Sequence, residues 1–294
     1  MAITVNTNIS SMIVQQNLNK ATTGMNTAME RMSTGLRINS SADDAAGMAV
    51  ATKLDYKVGS LAVAQDNGQM GASMLDTAEG VLDVINSNLT RIRDLTEQAA
   101  NGTYGADALE AIATEVSARL DEITRVANTT EFNGINLLSG TQTTAINLQV
   151  GIGTTTNDII ALDSKLFANA KASALLGTYT PAGGSAISEY TADNVKLVYA
   201  SDAKARGFLT NIDNAIKNVT DRKTLIGGNQ QRIISAMETA QVMQTNLTSA
   251  SSLIKDADIA EESSNYIKNQ ILQQASATLL ATANQSPSIA VNLV

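Results

Sequence analysis

Apolar residues recur at heptad spacing in four stretches of the chain. Val14, Leu18, Ala21, Met25, Ala28 and Met32 follow a 4-3-4-3-4 pattern near the start. Leu75, Ala78, Leu82, Ile85, Leu89 and Ile92 follow a 3-4-3-4-3 pattern. A looser set is Leu109, Ile112, Val116, Leu120, Ile123 and Ala127. Late in the chain come Ile233, Ala236, Ala240, Met243, Leu247, Ala250 and Ile254. Spacing of this kind puts the apolar residues on one stripe of a helix and predicts bundle or coiled-coil seams. Small alanines at alternate seam positions let helices approach closely. Both chain ends carry stripes that nothing nearby in sequence can cover, which marks segments that need partners.

The helix limits are also predicted. Ser41-Ala42-Asp43-Asp44 resembles a capping box and starts a helix near Asp44. Its run continues to about Ala100, where Asn101-Gly102 supplies a C-cap and turn. At 1.5 Å per residue such a helix is about 80 Å long. Gly59, Gly68, Gly71 and Gly80 lie inside it and each weakens it. A second helix spans about Ala106 to Ala127 and stops before Phe132-Asn133-Gly134. From about Thr141 to Tyr199 the texture changes to Thr, Gly, Ser and Asn. Ile146, Leu148 and Val150 alternate, and so do Val195, Leu197 and Tyr199, which reads as short β-hairpins and loops. Pro181-Ala182-Gly183-Gly184 reads as an exposed turn. Helical spacing returns from about Ala203. The fold class is mainly α: a long-helix bundle or coiled coil formed by both chain ends, with a small β-hairpin region in the middle.

Composition removes most chemistry. The 294 residues include no Cys and no His, so disulfides, thiolate sites, zincins and Ser-His-Asp triads are excluded. The formal net charge of -8 lacks the footprint of a nucleic-acid binder and is repelled by anionic membrane. Aromatics are only 3%, which predicts thin helix seams rather than a bulky aromatic core. No apolar run is long enough to span a bilayer, so no membrane insertion is expected. The first basic residue is Lys20 and no apolar stretch follows it, so no cleaved signal peptide is expected. Asp256, Asp258, Glu261 and Glu262 fail the calcium-loop pattern and read as a solvated acidic helix start. Gly151-Ile152-Gly153 lacks the third glycine and the lysine of a phosphate loop. No catalytic residue, cofactor site or metal site is assigned. Arg31 and Arg37 stand either as partners of carboxylates on neighbouring chains or as solvated charges.

Two distant blocks then resemble the bacterial flagellin family. The first is Glu30-Arg31-Met32-Ser33-Thr34-Gly35-Leu36-Arg37-Ile38-Asn39-Ser40 followed by Asp43-Asp44-Ala45-Ala46-Gly47. The second is Asp256-Ala257-Asp258, Gln270-Ile271-Leu272-Gln273-Gln274-Ala275, and Ala283-Asn284-Gln285 with Pro287. Phe132-Asn133-Gly134 and Gln149-Val150-Gly151 also sit where flagellins carry such residues. The matching regions are roughly the first 160 and the last 95 residues. About 40 residues lie between them, so the resemblance implies a short form with little or no outer domain.

The resemblance implies a non-enzymatic subunit that polymerises into the flagellar filament for swimming. Residues 1–43 and 256–294 form the arms of an inner-tube coiled coil. Residues 44–255 form an outer-tube helical bundle, with the hairpin and loop region at about 132–200. The assembly interface comprises Val14, Leu18, Met25, Met32, Leu36, Ile267, Ile271, Leu272 and Leu279. A switch region, around Phe132 to Gly153, includes Phe132, Asn133, Gly134, Val150 and Gly151. Arg91, Leu95 and Glu115 fall on the family's contacts with the flagellin-sensing Toll-like receptor. The expected partners are further copies of the chain, an export chaperone on the segment from about Asp256 to Val294, and the hook–filament junction and cap proteins. The expected location is extracellular, in the flagellum, by export without a cleaved signal peptide. The closing segment Ser288–Val294 departs from the leucine-rich ending usual in the family. A hook–filament junction protein is the rival reading. Ala45-Ala46-Gly47 after the paired aspartates, where that family usually has proline, favours the filament subunit.

Overall fold

The computed structural model describes residues 7–291, with side chains for 7–285. The closing segment Ser288–Val294 therefore lies outside the described side chains, and Asn292–Val294 outside the described residues altogether. The helices are α1 (Ile9–Thr34), α2 (Ala45–Ala99), α3 (Ala106–Thr129), α4 (Ala172–Leu176), α5 (Ala192–Val198), α6 (Asp202–Lys255) and α7 (Ile259–Val291). The strands are β1 (Glu131–Phe132), β2 (Ile135–Asn136), β3 (Ile146–Gln149) and β4 (Ile159–Leu162). They form two separate antiparallel pairs, β1 with β2 and β3 with β4. The expected mainly-α fold with a small β region in the middle is what the chain adopts.

Short polar side chains set the helix starts. Asn8 caps α1 by accepting from the Ser11 amide at 3.0 Å. Asp44 caps α2, accepting from the amides of Ala46 at 3.1 Å and Gly47 at 2.9 Å. The expected capping box at Ser41 is thus displaced to Asp44 itself. Asp43 instead closes the preceding turn on Ser40 and Asn39, and the Ser40 amide is the main reason its carboxyl is held below the usual range. Asp258 caps α7 through the amides of Ala260 and Glu261. Gly35 ends α1 at φ +72°, returning its amide to the Arg31 carbonyl at 2.8 Å, a left-handed terminus that glycine adopts without strain.

The chain forms two compact units. One comprises the two ends, up to Gly59 and from Gln244; the other is Ser60–Met243. In the first, α1 packs against α7. The contacts run antiparallel, from Asn8 against Ala283 to Arg31 against Glu262. The turn after α1 is stitched to the turn before α7: the Ala257 amide donates to the Gly35 carbonyl at 2.9 Å and the Arg37 amide to the Lys255 carbonyl at 2.6 Å.

In the second unit the seam positions Leu75, Ala78, Leu82, Ile85, Leu89 and Ile92 of α2 are all fully buried. The α3 stripe from Leu109 to Ala127 is buried with them. Ion pairs and hydrogen bonds set α6 antiparallel to α2: Arg93 with Asp213 at 2.8 Å, Asp83 with Lys223, and Asp76 with Gln230 at 2.7 Å. Gly71 lies under the Leu148 side chain of β3, where an added Cβ would come within 2.3 Å of it. Gly68 likewise lies under Met237, which an added Cβ would meet at 2.8 Å, so two of the α2 glycines have a packing reason.

Two expectations for the middle of the chain are corrected. Val195, Leu197 and Tyr199 are not a strand: α5 spans Ala192–Val198. Val195 and Val198 are buried three residues apart, with Tyr199 beside them, whereas Leu197 is exposed, so the helical period governs. The core is also not free of aromatics. Tyr179, Tyr190 and Tyr199 surround Phe208 with ring centroids 5.1, 5.8 and 6.4 Å from it. Each tyrosine hydroxyl is satisfied, on the carbonyls of Lys204 and Gly177 and on Thr96. The few aromatics are concentrated here rather than spread along seams. The Pro181–Gly184 turn is present, closed by the Gly184 amide on the Pro181 carbonyl at 2.9 Å.

Candidate assembly and receptor surfaces

The α1–α7 contact is asymmetric. From α1 it takes the heptad residues: Ala21 and Ala28 are buried, and Val14, Leu18, Met25 and Met32 are half-buried. From α7 it takes a mainly polar series, Glu262, Tyr266, Asn269, Gln273 and Ser276, continued by Leu280 and Ala283, spaced 4-3-4-3-4-3 and all buried or half-buried. Side-chain hydrogen bonds cross it. Gln273 donates to the Thr22 hydroxyl at 3.2 Å, Ser11 to the Asn284 carbonyl oxygen at 2.7 Å, and Asn8 to the Ala283 backbone carbonyl at 2.8 Å. Gly24 gives room to the Asn269 amide, which an added Cβ would meet at 2.8 Å. The Glu262 side chain, 9% exposed, is paired with Arg31 at 3.1 Å.

The expected assembly interface therefore divides. Val14, Leu18, Met25, Met32 and Leu36 lie half-buried within the chain, Leu36 in a backbone bridge with Asp256. Ile267, Ile271, Leu272 and Leu279 lie 46–60% exposed on α7. On α1 the exposed apolar residues are Ile9, Met12, Ile13 and Met29, none of them on the heptad stripe. The polar α7 series was legible as a 4-3-4-3 pattern. Apolar periodicity does not mark it, because most of its members are polar.

Arg31 and Arg37 both find partners inside the chain. Arg31 pairs with Glu262, which is buried rather than part of a solvated acidic start. The Arg37 guanidinium donates to the carbonyls of Leu253 and Ile254 at 3.3 and 2.7 Å, satisfying the C-terminus of α6. Asp55 of α2 accepts from Ser251 at 2.7 Å and from Lys255 at 2.8 Å on α6. Those two bonds, Lys255 first, hold its carboxyl below the usual range. Sequence gave no signal for this clamp, since the residues are about 200 positions apart.

The expected receptor residues are not all at the surface. Arg91 of α2 and Glu115 of α3 meet at 3.2 Å with side chains 45% and 39% exposed. Arg119 adds a second bond to Glu115 at 3.1 Å. Partial burial pushes the Glu115 carboxyl up, but the bonds from Arg119 and Arg91 outweigh it and hold it below the usual range. Leu95 is 3% exposed and packs inward with Ile92. It sits one helical turn from Arg91, on the side of α2 that meets the core.

The expected switch residues fall on two different hairpins. Phe132 and Ile135 are paired across a two-residue turn, Asn133-Gly134, with φ of +49° and +79°. This is the primed geometry that asparagine–glycine favours. Val150 and Gly151 follow β3, and both amides donate to the Asp158 carbonyl, at 2.9 and 3.0 Å. Asp158 accepts from the Thr155 hydroxyl at 2.6 Å, and that bond chiefly holds its carboxyl low. An added Cβ on Gly151 or Gly153 would come within 2.3 or 2.4 Å of that carboxylate. The glycine pair exists to admit Asp158. Among the described residues no group of three acidic side chains could hold a metal, and no helix is long and apolar enough to cross a membrane.

Known proteins share this arrangement. Residues 5–143 match the bacterial flagellin N-terminal helical region and residues 209–294 the C-terminal helical region. The flagellin of Listeria monocytogenes is 36% identical over 291 residues, 99% of each chain. That of Bacillus subtilis is 35% identical over 306 residues, again 99% of each. A solved Vibrio parahaemolyticus protein described as flagellar hook-associated shares the fold at a TM-score of 0.58 and 19% identity, over 72% of this chain and 99% of that one. The full-length identity and the two terminal matches, on the helices that pair here, establish that the chain belongs to the bacterial flagellin family, whose members are structural proteins of the flagellar filament.

Proposed function

We propose that this flagellin polymerises into a filament through the faces its paired ends leave open, and so serves swimming motility. The observation that carries the reading is the row Ile267, Ile271, Leu272 and Leu279, exposed on a helix whose other face is polar and already occupied. Exposed apolar rows of this size are costly in water and are covered by partners. A heterologous, head-to-tail contact makes growth open and helical. In this reading residues 1–43 and 256–294 line the inner tube and 44–255 form the outer one. Gly59 and Gly80 of α2 support it: nothing lies within 4 Å of where a Cβ would stand. Each costs helix stability without an intrachain return, as expected where another chain approaches.

The finer expectations belong to the same proposal. The chain leaves the cell through the flagellar export channel, with a chaperone covering the segment from about Asp256. It meets junction and cap proteins at the filament ends. A Toll-like receptor recognises the monomer through the Arg91–Glu115 pair, with Leu95 acting only as packing beneath it. The two hairpins, at Phe132–Gly134 and Val150–Gly151, lie where the filament changes curvature. Identity of 36% across the whole length of a flagellin supports the filament subunit over the junction protein.

The test is seeded assembly of purified chain followed by negative-stain microscopy. Tubes from the native chain, and none from Ile267→Gln/Ile271→Gln with an unchanged helical spectrum, are the expected outcome. Wild-type chain that never adds to seeds would sink the proposal. The same monomer and filament preparations, given to receptor reporter cells, should show activity for monomer only. Equal potency of the two forms counts against the receptor reading.

A further inference from the structure

The sequence holds three Asn-Gly pairs, and the fold treats them differently. Asn67-Gly68 lies inside α2, where the Asn67 amide donates to the Gln149 carbonyl at 3.2 Å. Asn101-Gly102 lies in the turn after α2, and the Asn101 side chain accepts from the Thr103 amide at 3.3 Å. The Asn101 backbone is tied on both sides, by its amide to Gln98 and by its carbonyl to Tyr104. Asn133-Gly134 is the exposed tip of the β1–β2 hairpin. Among the described residues no hydrogen bond holds the Asn133 side chain or the Gly134 amide.

We propose that Asn133 is a self-modifying site, converted spontaneously through a cyclic imide to aspartate and isoaspartate. The Gly134 amide nitrogen gives up its proton to solvent and attacks the Asn133 side-chain carbonyl carbon. A five-membered succinimide forms and the side-chain nitrogen leaves as ammonia. Water then opens the ring at either carbonyl, giving aspartate or a backbone rerouted through the former side chain. Nothing is oxidised or reduced, and water is the one co-reactant. Three features favour this pair. Glycine puts no side chain in the way of its own nitrogen. The attacking amide and the amide under attack are adjacent and free, so the reaction is intramolecular. The ladder is two pairs long and closed beneath by the Leu137 amide on the Thr130 carbonyl at 3.1 Å, which leaves the exposed two-residue tip as the part free to rotate into line. In Asn67-Gly68 the helix holds the nitrogen and Gln149 holds the side chain, which blocks both halves of the reaction.

The product matters to the hairpin. Isoaspartate adds a methylene to the main chain, so a two-residue turn no longer fits between Phe132 and Ile135. Either product places a new negative charge two residues from Glu131, which is exposed at the same turn. The site thus acts on the geometry of the hairpin with time rather than with a ligand. This rests on the turn and not on the filament reading.

The test is incubation of the intact monomer in warm, mildly alkaline buffer, with trypsin digestion and tandem mass spectrometry of samples taken over time. The three asparagines fall in the separate peptides 58–91, 94–119 and 126–165. The expected result is conversion at Asn133 several-fold faster than at Asn101, with Asn67 unchanged while the chain stays folded. Isoaspartate methyltransferase should label the 126–165 peptide. In urea the three rates should converge, which assigns the native spread to the fold. Native conversion at Asn133 no faster than at Asn67 would overturn the proposal.

Discussion

The end helices and the central bundle begin from the same heptad pattern and finish with different interiors. In the bundle, the stripe from Leu75 to Ile92 is sealed completely, because α3 and α6 bring apolar residues to it. In the end pair, Val14, Leu18, Met25 and Met32 remain half-exposed, because α7 brings Glu262, Asn269 and Gln273. A heptad stripe therefore predicts that a face will be covered. What it gains depends on the partner helix. The central bundle holds its shape through area removed from water. The end pair holds its register through named polar contacts and leaves Ile267, Ile271, Leu272 and Leu279 exposed.

The sharpest way to break this comparison is to cut the bundle seam. Leu82→Ala leaves a cavity among Leu75, Ile85 and α3 and should cost about 2–5 kcal/mol in urea unfolding. A loss comparable to that of an exposed residue would mean the bundle core is not what holds that unit. The matching cut in the end pair is smaller. Arg31→Ala leaves the Glu262 carboxylate buried without its cation and should cost roughly 1–3 kcal/mol. The cost should appear as faster hydrogen exchange in α1 with the bundle amides unchanged. Adding Glu262→Gln should recover part of it, since the buried charge is then gone. If Arg31→Ala speeds exchange in the bundle too, the two interiors are not independent.

Much of this contrast could be read before the structure. The limits of α2 and α3, the return of helix near Ala203 and the Pro181–Gly184 turn all follow from local rules of period and backbone freedom. What could not be read depends on residues far apart. The pairing of Arg31 with Glu262 spans 231 positions, and Arg37 finds the end of α6 across more than 200. Local signals offered each arginine only solvent or another molecule. The α5 error has a different origin. Val195, Leu197 and Tyr199 satisfy alternation by accident, and the helical spacing of Val195 with Val198 and Tyr199 fits the same few residues. Burial likewise divides the surface set. Arg91 and Leu95 are neighbours on the helix, yet one faces solvent and the other the core.

The smallest expected effect concerns the Asp55 clamp and sharpens the comparison by pH. Its carboxyl is held below the usual value of about 3.9 in the folded state. The stabilisation is therefore present above that value and lost as pH falls through the lowered folded one. Asp55→Asn should remove this part of the acid response of the end unit. Circular dichroism in acid titrations below about pH 4, with hydrogen exchange to assign the region, should show a shallower loss. Because Asp55 is half-exposed, the change should be slight. An unaltered titration would place the acid sensitivity of the end helices elsewhere.

The cluster of Tyr179, Tyr190 and Tyr199 around Phe208 gives the molecule an optical label that nobody has to add. There is no tryptophan, and these three rings are buried. Burial pushes the Tyr190 hydroxyl up to about 12 and raises those of Tyr179 and Tyr199 as well. Their absorbance therefore changes to that of phenolate at higher pH than an exposed tyrosine's does. With Tyr56, Tyr104 and Tyr266 replaced by phenylalanine, near-ultraviolet spectra would watch the central bundle, while far-ultraviolet spectra watch every helix. The gap between the two signals, followed through any titration or assembly reaction, separates what the ends are doing from what the middle is doing.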